Sequence, residues 1–184
     1  MKDDMRDGVT EERPGRRRLK RMLLTCTGIV ILVAVFFAGA RLFEVRTVPD
    51  VSVTTLSGEQ FGLDSLNGSV VLVNFWATTC AVCVREMPKF AALFEKYRSR
   101  GFRTLAVAMP YDPPHRVIDY VAKTSLPFDV VLDIDGSVLR AFADVPGTPT
   151  SFLIDRRGRV VGKYLGEPDF EELEGRIKLA LNKQ

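Results

Sequence analysis

The chain alternates between apolar runs that read as strands and spaced apolar stripes that read as helices. Val70–Trp76 is apolar at every position except Asn74, as a strand covered on both faces of a parallel sheet should be. After it the period changes, with Met87, Phe90, Ala91 and Phe94 at helical spacing. Phe102–Met109 predicts a second apolar strand stopped by Pro110, and 114–123 a helix with Val117, Ile118, Val121 and Ala122 as its buried face. A strand over Phe128–Leu132 and a short helix over Ser137–Phe142 come next. Ser151–Asp155 and Arg159–Leu165 then flank the turn residues Arg156-Arg157-Gly158 as a hairpin. From about Asp169 a last helix carries Phe170, Leu173, Ile177, Ala180 and Leu181 on one face. Ahead of all these, Val51-Ser52-Val53-Thr54 alternates, and turn signals at 57–60 and 67–68 predict a short hairpin. The alternation of elements predicts an α/β domain: a central mixed sheet with helices on both faces.

The N-terminal portion has a different pattern. Met22–Ala40 is 19 residues without a charge. At ~1.5 Å per residue it reaches roughly 28 Å, enough to cross the hydrocarbon core of a bilayer. Arg13, Arg16, Arg17, Arg18, Lys20 and Arg21 precede it with no acid among them, which keeps the N-terminus in the cytoplasm and exports the chain beyond Ala40. The expected organisation is a basic cytoplasmic tail over 1–21, a transmembrane signal-anchor over 22–40, a tether over 41–50 and a domain over 51–184. Ala38-Gly39-Ala40 also offers a signal-peptidase site, but the apolar run is longer than a cleaved signal core needs. Either way the domain lies outside the cytoplasm.

Charge respects the same division. Residues 1–21 hold eight basic and five acidic side chains, which is the whole formal excess of +3. The remainder is balanced, so no basic surface is left to suggest a nucleic-acid partner.

Of three cysteines, Cys26 falls within the apolar run and reads as a buried thiol without a catalytic role. Cys80 and Cys83 are too close together to staple a domain of this length, so their pairing is used in chemistry. Cys80 should lie at a helix N-terminus, where unpaired amides and the positive end of the dipole favour a thiolate. Cys83 lies one turn further along the same face. No second pair of ligands is present to make a zinc site, and neither a metal nor a cofactor is expected.

Two separated motifs resemble one family. Phe75-Trp76-Ala77-Thr78-Thr79-Cys80-Ala81-Val82-Cys83-Val84-Arg85-Glu86-Met87-Pro88, with Gly147-Thr148-Pro149-Thr150-Ser151-Phe152-Leu153-Ile154-Asp155 some sixty residues later, resembles the thioredoxin superfamily. More narrowly it is similar to the membrane-anchored thiol-disulfide oxidoreductases of the TlpA, ResA and CcmG type. The resemblance implies a thioredoxin-like fold with an N-terminal hairpin extension and a central insert, preceded by one transmembrane helix. It implies that Cys80 attacks a substrate disulfide and Cys83 resolves the mixed disulfide. It further implies a cis Pro149, with the Thr148 backbone offered to a substrate strand. Trp76 reads as a substrate-side residue packed beside the site, against the simpler reading of core filling. Asn74 stands where thioredoxins usually carry a buried aspartate and cannot accept a proton. Glu86, three residues beyond Cys83, is the candidate for that role, against the simpler reading of a solvated helix carboxylate.

Thr79 replaces a common tryptophan, and Ala81-Val82 lacks both the usual proline and any cation that would hold a thiolate. The dithiol should therefore be reducing, which favours a reductase of protein disulfides fed by a thiol-disulfide electron donor in the membrane. Cytochrome c maturation and metal-site assembly are candidate client pathways. Tyr111 and Asp112 are weaker candidates for a substrate groove, and His115 reads as a surface residue. Two alternatives stay open: a peroxiredoxin-like peroxidase, for which Ala77 stands where a threonine is usual, and a copper carrier using the paired thiols as soft ligands.

Overall fold

The computed structural model describes residues 47–183. A short antiparallel pair, β1 (Ser52–Thr54) and β2 (Gln60–Gly62), leads through a single 3-10 segment into β3 (Val70–Trp76). Next come α1 (Ala81–Tyr97), β4 (Phe102–Ala108), α2 (Pro114–Thr124), β5 (Asp129–Leu132) and α3 (Ser137–Phe142). β6 (Thr150–Ile154), β7 (Val160–Leu165) and α4 (Phe170–Asn182) complete the domain. The main sheet has the order β5-β4-β3-β6-β7. β3, β4 and β5 run parallel, whereas β6 and β7 are antiparallel to their neighbours. The segment between β4 and β5, where the insert is expected, holds Tyr111, Asp112 and α2. β5 forms one edge of the sheet, and the N-terminal hairpin docks there: Leu56 N donates to Val130 O at 2.8 Å, and Thr55 bridges Val131.

The alternation of β3 builds both cores. Leu72 and Trp76 point toward α1 and α4, joining Met87, Phe90, Leu173 and Ile177. Val71, Val73 and Phe75 point the other way, toward α3 and the hairpin, joining Val138, Phe142, Val53 and Leu63. All seven β3 residues are buried, which is why the strand reads as a continuous apolar run. Asn74 belongs to the α1 face.

One expected face is corrected. In α2 only Val117 is buried, with Tyr120 and Val121 packed partly against the core, while Ile118 is 49% exposed and Ala122 faces solvent. The helix meets the domain by a narrow i, i+3, i+4 stripe, too narrow to cover four apolar positions. α1 continues unbroken through Pro88, which faces solvent. Among the described residues no helix is long and apolar enough to cross a membrane. The expected span over 22–40, its basic flank and Cys26 lie outside the described residues.

Candidate active site

The site forms where β3 ends. Cys80 is the N-cap of α1, and its Sγ accepts a hydrogen bond from Cys83 N at 3.2 Å. One turn of helix brings the two residues' Cα atoms to 5.2 Å, within disulfide range, and the two are joined by a disulfide. They differ in exposure: Cys80 is half-buried at the rim, and Cys83 is completely sealed. A substrate sulfur can approach only Cys80.

Beneath them lies a buried polar cluster. Glu86 and Asn74 are both wholly buried, and Asn74 Nδ2 donates to Glu86 Oε1 at 3.1 Å and to Ser151 Oγ at 2.9 Å. Asn74 Oδ1 and Glu86 Oε2 have no hydrogen-bond partner. Burial pushes the Glu86 carboxyl up to about 7, opposed by the Asn74 hydrogen bond and by Arg85 and Lys89, and reinforced by Glu167. A neutral amide is the suitable neighbour here, because an aspartate at position 74 would put two carboxylates in contact in one sealed site.

The second motif closes the site from the side. The Thr148–Pro149 bond is cis, Pro149 is buried, and Pro149 O accepts from Gly166 N at 2.9 Å. Tyr111, 61% exposed, places its hydroxyl 3.2 Å from Thr148 Oγ1. Both motifs thus meet through sheet register, Phe75 lying opposite Thr150 and Asn74 opposite Ser151.

Comparison with known proteins agrees with this geometry. The redoxin family matches residues 45–177. The chain belongs to the redoxin family. The thiol-disulfide oxidoreductase ResA of Bacillus anthracis is 34% identical over 160 residues, covering 85% of this chain and 91% of that protein. ResA of Bacillus subtilis (strain 168) is 33% identical over 145 residues, covering 79% and 80%. Among solved structures, a thiol:disulfide interchange protein of the thioredoxin family from Chlorobium tepidum TLS superposes with a TM-score of 0.69. It is 29% identical over 76% of this chain and 98% of that one. The likeness places this redoxin in the thioredoxin superfamily, among proteins of the ResA and CcmG type.

Sequence reasoning brought most of the site together, with two exceptions. Trp76, expected either on the substrate side of the site or as core filling, is wholly buried against Tyr120, with ring centroids 5.3 Å apart, so the core-filling reading holds. Asp112, a candidate for a substrate groove, is buried beneath the loop before Cys80, where Thr78 N and Thr78 Oγ1 donate to its two carboxylate oxygens at 2.6 and 2.7 Å. Ser151 was not singled out from sequence. Its register opposite Asn74 could have found it, once β3 and β6 were taken as neighbours. Among the described residues no group of three or more histidine, cysteine, aspartate or glutamate side chains is placed to hold a metal ion.

Proposed function

We propose that this protein is a membrane-anchored, extracytoplasmic thiol-disulfide oxidoreductase that works as a reductase of protein disulfides. The observation that supports this reading best is the asymmetric pair: Cys80 alone is reachable, Cys83 is sealed, and Glu86 lies buried one turn further on with a carboxyl held near neutrality.

The reaction runs in two exchanges. The Cys80 thiolate attacks one sulfur of the client disulfide, forming a mixed disulfide and releasing the first client thiolate. Glu86 takes the proton of Cys83, whose thiolate then attacks Cys80 Sγ, closing the Cys80–Cys83 bond and releasing the second client sulfur. Two electrons pass to the client, and the disulfide form is the spent enzyme, which a thiol-disulfide donor in the membrane must reduce again. The client strand lies along the Thr148 backbone before Pro149. The export of the domain rests on the basic flank and apolar run over 13–40, and cytochrome c maturation and metal-site assembly are pathways whose clients would use such a reductant.

The test is the reduction potential of the couple in the full-length chain in detergent, equilibrated against defined glutathione or dithiothreitol ratios. A value near the thioredoxin level of about −270 mV is expected, and one above roughly −150 mV would make the protein an oxidase. Cys83→Ala should then trap clients as mixed disulfides on Cys80. Stoichiometric copper binding without a reversible couple would instead identify a carrier.

A further inference from the structure

We propose that Asp112 is a positioning residue that fixes the loop carrying Cys80 and, through its charge, keeps the Cys80–Cys83 couple reducing; the proposal rests on thiol-disulfide exchange at that pair. The latch is built from the ends of two adjacent strands. Beyond β4, Met109 N donates to Trp76 O at 2.9 Å, so the β3–β4 pairing runs one residue past the strands. Asp112 N then donates to Met109 O at 2.9 Å, turning the chain back over the site. This turn leaves the Asp112 side chain 4% exposed, with both oxygens accepting from Thr78. Thr78 stands two residues before Cys80, and Cys80 N closes a turn over it by donating to Ala77 O at 3.1 Å.

Two features point beyond loop geometry. An asparagine could hold the same two donors of Thr78 by accepting from N–H and donating to the hydroxyl, so a carboxylate is not needed for the fit. A buried carboxylate is also costly without a cation, and among the described residues none pairs with Asp112. Its carboxylate sits on Thr78, two residues before Cys80, the N-cap of α1, where free amides would otherwise favour a Cys80 thiolate. Ala81 and Val82 supply no opposing cation. A negative charge there makes the thiolate less stable, and a couple whose reduced form is less stabilised is a stronger reductant.

The experiment compares full-length D112N, D112S and T78V with the wild type. Each is equilibrated against glutathione, and the rate of Cys80 alkylation by iodoacetamide is measured at one fixed pH. Both neutral variants should move the equilibrium toward the dithiol by roughly tenfold, equivalent to ~30 mV, and alkylate several-fold faster. T78V removes one hydrogen bond but leaves the charge, so its equilibrium should move by less than about threefold. D112N and D112S within twofold of wild type would overturn the proposal. So would a T78V shift as large as theirs, since Asp112 would then act through loop geometry alone. If one neutral variant fails to fold, the other is read. A high wild-type potential would sink the reductase reading and still leave the ratio between variants readable.

Discussion

A carboxyl group sealed beneath a disulfide is costly to ionise, and for Glu86 that cost has a definite sign. Its carboxyl titrates near 7 in the folded chain against an ordinary value of 4.5, because burial outweighs the Asn74 hydrogen bond. The folded state therefore binds a proton that the unfolded state has lost, and the associated stability is full below pH 4.5 and gone once the pH passes 7. The shift is worth on the order of 3 kcal/mol. Glu86→Gln should accordingly unfold at higher urea than wild type at pH 8 and at nearly the same urea at pH 4, while slowing disulfide exchange by roughly 100-fold or more. Equal rates and an unchanged thiol titration would remove Glu86 from the mechanism. Asn74→Asp should do the opposite to stability. It places a second carboxyl against Glu86 Oε1, so urea titrations should show a loss at pH 8 that recovers as the pH falls and one of the pair takes a proton.

Helix ends show how far local chemistry can be separated from the site. Asp169 caps α4, its Oδ1 accepting from Glu171 N at 2.9 Å and Glu172 N at 3.0 Å, and the helix holds Leu173 and Ile177 against the core. Asp169→Ala should cost about 1 kcal/mol in urea unfolding and leave the potential where it was, because these amides lie at the start of a helix that carries neither cysteine. The elements themselves were largely legible. β3 was marked by its apolar run, α1 and α4 by their stripes, and the β6–β7 hairpin by Arg156-Arg157-Gly158. What stayed hidden depends on distance along the chain. Spacing put Glu86 on the face of Cys83, but only the meeting of α1 with β3 and β6 shows that the face is sealed and that Asn74 and Ser151 line it. Asp112 and Thr78 are 34 residues apart, and no local pattern announces their contact. The α2 stripe is narrower than its apolar spacing implies for a related reason: spacing says which residues could be covered, and only the packing of the helix on the domain decides how many are.

At the scale of the whole domain the two ends of the sheet do different work. β6 starts at Thr150, beside the cis proline, and runs to Ile154, so the Asp155–Gly158 turn lies at the end of the sheet away from the disulfide. The described chain enters at that far end: Val48 N donates to Gly158 O at 2.7 Å, and Thr47 bridges Arg159. Arg156 binds the same pole together, donating to Gly68 O at 2.7 Å and Arg100 O at 2.9 Å, so the approaches to β3 and β4 are fixed by one guanidinium. Val48 also covers a small apolar gap lined by Leu63, Leu66, Val71, Val73 and Ile154. Removing residues 47–50 therefore strips one backbone hydrogen bond and the partly buried Val48 and Pro49 from the pole opposite the cysteines. A soluble piece beginning at Val51 should be about 1–2 kcal/mol less stable than one beginning at Thr47 by urea unfolding. Its potential should agree with that of the longer piece, because no residue lost touches Cys80, Cys83, Glu86 or Asp112. A potential that moved with the truncation would mean that the end where the described chain enters and the redox end are coupled through β3 and β6, and that the strand where the chain enters helps set the chemistry at the other end.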